Sequence, residues 1–422
     1  MTVENHMPLR QPNRVKRFPW CGRGGVRLAV LVLSILFIGA NPGWPSPAAA
    51  SNYDALRLLS ETLYEVNQKY VWEKDEAELF QGALRGLMHA LDPDSSFLTP
   101  QEYKEWNGGT RKVAAEAGLE LVVKDNLLTV VSVMDGGPAA RAGLKPGDHI
   151  LKINGQLQRN LTTQEALRKF QGKPGTALHL YVLRNSLVKP LELTVTLEPL
   201  PPGRITTHML KGSVAYVRVP DFHDDTPAEL SDALRKLKRY HAPVVGLILD
   251  LRNNARGSME QGIRSASVLL GSKVITSARG RQAEASQVYH GKDSDLVFKQ
   301  PVPTVVLVDQ GTARAAEIVA GALQSHGAAV LLGTKTFGLC GITRPLPLKD
   351  GSALLMTVAH CYTPNGQKIT GKGLEPEVPP PKSAKEVVSP PGQPPIPELD
   401  PWVIEALEIL RTGKPLPQTK KS

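Results

Sequence analysis

With 41% hydrophobic and 21% charged residues, the chain of 422 residues has the composition of ordinary folded protein, which excludes a disordered chain and leaves room for two to four domains. Its formal charge of +10 is concentrated at one end, where six Lys/Arg against Glu4 give residues 1–27 a charge of +5. The other +5 forms no clustered basic stripe, so nucleic acid is not an expected partner.

The basic leader is followed by the apolar run Leu28 to Ala40 and then by Ala48-Ala49-Ala50. That order of charged, apolar and small residues is that of a secretory signal, and the apolar run is short for a membrane span. Residues 1–50 are therefore read as a signal peptide cleaved after Ala50. An uncleaved anchor is the alternative, and the only expected route to a membrane. In either case the rest of the chain is expected outside the cytoplasm.

Residues 51–108 carry apolar side chains three and four apart in two stretches broken near Tyr70 to Lys74, which predicts two amphipathic helices. Asp92-Pro93-Asp94-Ser95-Ser96 ends the second with turn chemistry. Over residues 109–200 the pattern turns to short β-rich runs, Leu127 to Val133, Ile150 to Ile153 and Ala177 to Leu183, with a short helix from Thr163 to Phe170. Residues 201–380 alternate strands and helices. Strands are expected at Ser213 to Val219, Val244 to Arg252, Thr304 to Val308 and Ala329 to Leu332, and helices at Pro227 to Leu237, Ser258 to Leu270 and Arg314 to Gln324. Such alternation predicts a largely parallel sheet with right-handed crossovers. Residues 381–422 are proline-rich until a last short helix, Trp402 to Leu410. In the strand, turn and helix of residues 303–345, Gly311 supplies the turn and Arg314 stands at the helix start, a common place for a nucleophile.

The run from Pro138 to Gln156, PAARAGLKPGDHILKINGQ, resembles a PDZ domain. PDZ domains bind peptide C-termini by strand addition, a loop of backbone N–H groups holding the carboxylate. The resemblance places that loop at Glu116-Ala117-Gly118-Leu119, with Ala117, Gly118 and Leu119 as the peptide-binding residues. Together with SSFLTPQEY (95–103), LILDLRNN (247–254) and YTPNGQKITGKGLEP (362–376), this run resembles the carboxy-terminal processing, or tail-specific, proteases over nearly all of residues 52–411. The resemblance implies an α/β core with an inserted PDZ domain and an N-terminal helical segment. It also implies a Ser/Lys dyad, in which a neutral lysine takes the proton of the attacking serine and a glutamine positions the lysine.

The family's G-S-A-S-A-S-E-I run lies on Gly311 to Ile318 and puts Arg314 at the nucleophile position. Its F-G-K-G-x-x-Q run lies on Phe337 to Thr343, with Leu339 in place of the lysine and Thr343 in place of the glutamine. Its N-N-P-G-G, linked to the oxyanion, reads Asn253-Asn254-Ala255-Arg256-Gly257 here. An arginine stays protonated and cannot act as a nucleophile, and leucine accepts no proton. Thr312, Ser325 and Lys335 are the candidates for a displaced dyad. The scattered histidines form no metal-ligand pattern, so neither metal nor cofactor is expected.

Beyond Cys21 in the leader, Cys340 and Cys361 remain, an even count for an oxidising compartment. A two-residue hairpin loop at Asp350-Gly351 would set these two opposite each other as a non-hydrogen-bonded pair, Cα atoms about 4.5 Å apart. A disulfide is expected there, with two reduced cysteines, or a bulge that spoils the register, as the alternatives. We read the chain as a pseudoprotease of the bacterial periplasm or cell envelope that binds protein or peptide C-termini without cutting them, an active relative among its candidate partners. A peptidase with a displaced nucleophile, and a structural subunit of an envelope protease complex, are the alternatives.

Overall fold

The computed structural model describes residues 52–107, 114–125, 127–159, 161–201, 203–239, 243–381 and 397–412. The expected leader, its expected cleavage site and Cys21 lie outside the described residues, as does most of the proline-rich stretch. Among the described residues no helix is long and apolar enough to cross a membrane.

The two expected N-terminal helices form at Asn52–Lys69 and Glu76–His89, the second opened by the Asp75 side chain accepting from the Ala77 N–H. Two elements follow that periodicity did not reveal, a three-residue strand Ser96–Leu98 and a helix Pro100–Asn107. The β-rich region is an antiparallel sheet in the order Leu119–Lys124, Leu127–Val133, His149–Ile153, Ala177–Leu183, Leu191–Thr196. Its edge strand, Leu119–Lys124, lies beside the helix Thr163–Lys169, which starts with a capping box of Thr162 and Glu165. Leu119, Leu121 and Val123 face that helix and pack with Ala166 and Phe170 in one buried cluster. Glu120 and Val122 therefore point the other way, because side chains alternate along a strand.

The core sheet runs Thr206–Leu210, Val214–Arg218, Gly246–Asp250, Thr304–Val308, Val330–Gly333, parallel after the first pair. Helices Thr226–Lys238, Met259–Leu270 and Ala315–Ser325 bury Leu230, Leu234, Val268 and Ile318 on one face. Helix Pro401–Thr412 covers the other, setting Val403 and Ala406 against Tyr216, Ile248 and Leu307. This is the three-layer arrangement that strand and helix alternation predicts.

A second sheet, antiparallel throughout, was not foreseen. It joins Ser96–Leu98, Ala353–Tyr362, Val274–Gly280 and Gln287–His290, with Gly341–Pro347 also paired to Ala353–Tyr362. The hairpin inside it corrects the expected register. Pro347 pairs with Ala353 and the Leu348 N–H reaches Ser352 O at 2.8 Å, so the loop has three residues, closed by Gly351 at φ 85°. An extra residue, Val358, then bulges out between the pairs Thr343/Thr357 and Ile342/Ala359 and restores the register at its far end. Cys340 and Cys361 do form a disulfide, with Cα atoms 5.6 Å apart. They are bridged by a 3.1 Å bond from the Cys361 N–H to Cys340 O, which is hydrogen-bonded pairing where the unbroken hairpin predicted the other kind.

Candidate functional site

Strand Thr304–Val308 ends in a turn that Asp309 fastens, its Oδ1 accepting from the N–H groups of Asn253 (2.8 Å) and Gly311 (2.9 Å). The chain enters helix Ala315–Ser325 through Arg314, at φ 55° and ψ −119°. A residue with a side chain is costly in that region, and such strained strand-to-helix elbows are where α/β enzymes display a nucleophile. The elbow is therefore present, with an arginine on it.

Position 339 lies directly across. The Arg314 N–H donates to Leu339 O at 3.1 Å, and the Phe337 N–H to Thr312 O at 3.0 Å, so segments 312–314 and 337–339 run edge to edge. The structure thus brings Arg314 and Leu339 together. Thr343 lies further along, in strand Gly341–Pro347 and paired with Thr357.

Glu317 fastens this pair of segments. Its carboxylate is fully buried and accepts from Thr336 Oγ1, from the Gly338 N–H at 2.7 Å and from the Leu339 N–H at 3.0 Å. Burial raises its pKa from 4.5 to about 7, against the opposing pull of those donors. Sequence reasoning missed this residue. The available signal was a lone acid on a helix whose other residues, up to Leu323, are Ala, Ile, Val, Gly and Leu.

The three candidate substitutes are not gathered into a dyad. Thr312 is fully buried, its hydroxyl 2.9 Å from Leu251 O and 2.9 Å from the Asp309 N–H it accepts. Ser325 ends the helix that Arg314 begins, eleven residues on, or about 16 Å at 1.5 Å per residue. Lys335 is 60% exposed and pairs with Glu375 at 3.3 Å.

The remaining wall comes from Asn253 to Gly257. Gly257 is held at φ 111°, and a Cβ there would come within 2.2 Å of Phe222 O, so this glycine is obligatory. Arg256 extends toward the β-rich domain, where it meets Glu116 at 2.8 Å and Glu120 at 3.4 Å. Arg314 faces acids as well, its charge acting on both Asp94 and Glu120. Burial raises the pKa of each of these two carboxyls, and Arg314 opposes the rise at each. Arg314 Nε is itself buried without a hydrogen-bond partner. Acids of the same chain thus supply the carboxylate environment of the elbow.

A closed joint surrounds these charges. Val122 and Val131 of the β-rich domain pack on Ala255, Ala313 and Leu339. The Asn253 amide accepts from the Val133 N–H at 2.9 Å and donates to Val133 O at 2.6 Å. Arg218 bridges Asp135 at 2.5 Å and Asp250 at 3.4 Å.

At the expected peptide loop, Ala117 and Leu119 are buried and Gly118 sits at φ 73°. The Ala117 N–H is engaged by Phe170 O at 3.0 Å, and Thr163 Oγ1 accepts from the Val123 N–H at 3.3 Å. Strand and groove helix are therefore in contact. The helix is held from behind by Arg85, 3.2 Å from Glu165 and 3.6 Å from Glu102, and by the Thr163 N–H bonded to Pro93 O.

Two family models match separate parts of the chain. A model of peptidase family S41 matches residues 213–379, and a PDZ domain model matches residues 129–184. The chain is 32% identical over 330 residues to a carboxy-terminal-processing protease of Bartonella bacilliformis, covering 78% of this chain and 75% of that one. It is 31% identical over 346 residues to the carboxy-terminal processing protease CtpA of Bacillus subtilis, 81% of this chain and 73% of the relative. Among solved structures it is similar to a photosystem II D1 C-terminal processing protease, with TM-score 0.66, 27% identity and 76% and 86% of the two chains covered.

Proposed function

Since the chain belongs to peptidase family S41, among the carboxy-terminal processing proteases, and carries a PDZ domain, we propose that it is an exported member that binds protein or peptide C-termini without cleaving them. The observation that carries the proposal is the 3.1 Å contact between Arg314 N–H and Leu339 O. The positions of nucleophile and base adjoin, and neither residue can do that work. The buried hydroxyl of Thr312 and the separation of Ser325 from the elbow argue against a displaced dyad, since productive geometry tolerates little displacement. Export is supported by the order of residues 1–50 and by the Cys340–Cys361 disulfide, which suits an oxidising compartment. The bacterial relatives make the periplasm or envelope the matching location, and a related active protease is a candidate partner.

The test is incubation of residues 51–422 with unfolded proteins ending in apolar residues. No time-dependent cleavage is expected. Cleavage that disappears on Thr312→Ala or Ser325→Ala would overturn the proposal. Titration with a peptide bearing a free or an amidated C-terminus tests the binding half, and the free form is expected to bind more tightly.

A further inference from the structure

Three separate stretches of chain meet around the elbow, and each brings charge of one sign. Arg256 and Arg314 come from the core, where the family's pattern has a glycine and the nucleophile. Glu116 and Glu120 come from the PDZ domain, and Asp94 from the turn after the second helix. Arg256 contacts both PDZ acids, at 2.8 and 3.4 Å, while Arg314 acts on Glu120 and Asp94. In the same joint, Val122 and Val131 pack with Ala255, Ala313 and Leu339.

We propose that Arg256 and Arg314 form an ionic clasp that fastens the PDZ edge strand over the vacated site and keeps the domain docked on the core. Three features favour this over an incidental surface pair. Glu120 points away from the PDZ interior, since Leu119 and Leu121 on either side are buried within it, so its charge has no use inside its own domain. Arg256 reaches it at 3.4 Å, and the charge of Arg314, on a second loop, acts on it. Water is largely excluded, with Arg256 and Glu120 side chains only 27% and 18% exposed, so removing one partner strands the other at considerable cost. The Asn253 amide pair with Val133 fixes the register of the same joint, and the arginines supply its charge complementarity.

The experiment uses residues 51–422, in which both native cysteines are bonded to each other, so introduced cysteines can be spin-labelled selectively. Labels at Ser186→Cys on an exposed PDZ loop and Lys299→Cys on an exposed core loop report docking as a distance distribution. The parent should give one narrow distance at low salt. Arg256→Glu should raise the undocked population about tenfold or more, and the compensating pair Arg256→Glu with Glu120→Arg should return it toward the parent. Should Arg256→Glu fail to fold, as judged by circular dichroism, Glu120→Gln and Arg314→Gln are used, with a salt titration of the parent. A single docked distance in all of these variants and at every salt concentration overturns the clasp. So does failure of the compensating pair to restore docking while the single variants remain folded, because apolar packing would then be what holds the domain.

Discussion

Glu317 offers the most direct physical test of the site frame. Its pKa is raised from the ordinary 4.5 to about 7, so between those two values the folded protein holds a proton that the unfolded chain has released. Stability from this group is complete below pH 4.5 and is lost as pH rises through about 7. At 1.36 kcal/mol per pKa unit, the swing amounts to about 3 kcal/mol. Glu317→Gln removes the titration and leaves one oxygen where there were two, so its amide N–H₂ faces either the Gly338 or the Leu339 N–H, which needs an acceptor. Urea unfolding of parent and variant at pH 5, 6, 7 and 8 should give a stability gap that is widest at pH 5 and narrows by about 2.5 kcal/mol toward pH 8. Other raised acids, such as Asp94, Glu120 and Asp309, titrate in both proteins and cancel in the difference. A gap constant across that range would refute the assignment of Glu317 as the buried, partly protonated anchor of position 339.

Three further outcomes follow from the same geometry. Asn253→Gly keeps the backbone at its φ of 53° but removes both bonds to Val133, and should lower unfolding stability by about 1–3 kcal/mol with the PDZ domain released first in hydrogen exchange. Cys361→Ser opens a link across 21 positions and should cost about 3 kcal/mol, while the non-reduced parent should show no free thiol by mass spectrometry in residues 51–422. Arg314→Ser together with Leu339→Lys puts a hydroxyl and an amine on the retained elbow and on the segment beside it. Slow cleavage of unfolded protein is expected from this double variant and not from either single one, and complete inactivity would mean that the elbow alone is an insufficient frame.

Much of the architecture was legible because it depends on local pattern. Leu127–Val133, Ala177–Leu183 and Thr304–Val308 were placed to the residue by their β-branched and apolar runs, and the core helices to within one or two residues at their ends. The second sheet was not, since Ser96–Leu98 is too short to show a period and finds its partner at Ala353–Leu355, some 250 residues away. The proposal that Arg314, Leu339 and Thr343 stand in vacated positions rests on the family resemblance alone. The acids on which the charge of Arg314 acts were not legible, because Asp94 and Glu120 belong to two distant stretches, and no spacing in the chain announces that their charges converge there. Glu317 escaped for a different reason, that a helical period describes apolar faces and leaves unexplained the acid that one of them buries.

The hairpin that carries the disulfide has a consequence for how this segment can change. Its loop and the bulge at Val358 both lie within the arc that the Cys340–Cys361 bond closes, and neither the loop residues nor Val358 has a partner across the ribbon. Shortening the loop by one residue, or removing Val358, therefore leaves Thr343 opposite Thr357, Ile342 opposite Ala359 and Cys340 opposite Cys361. Each irregularity can be lost without the other while the cross-link is kept, which makes loop length and bulge separately heritable.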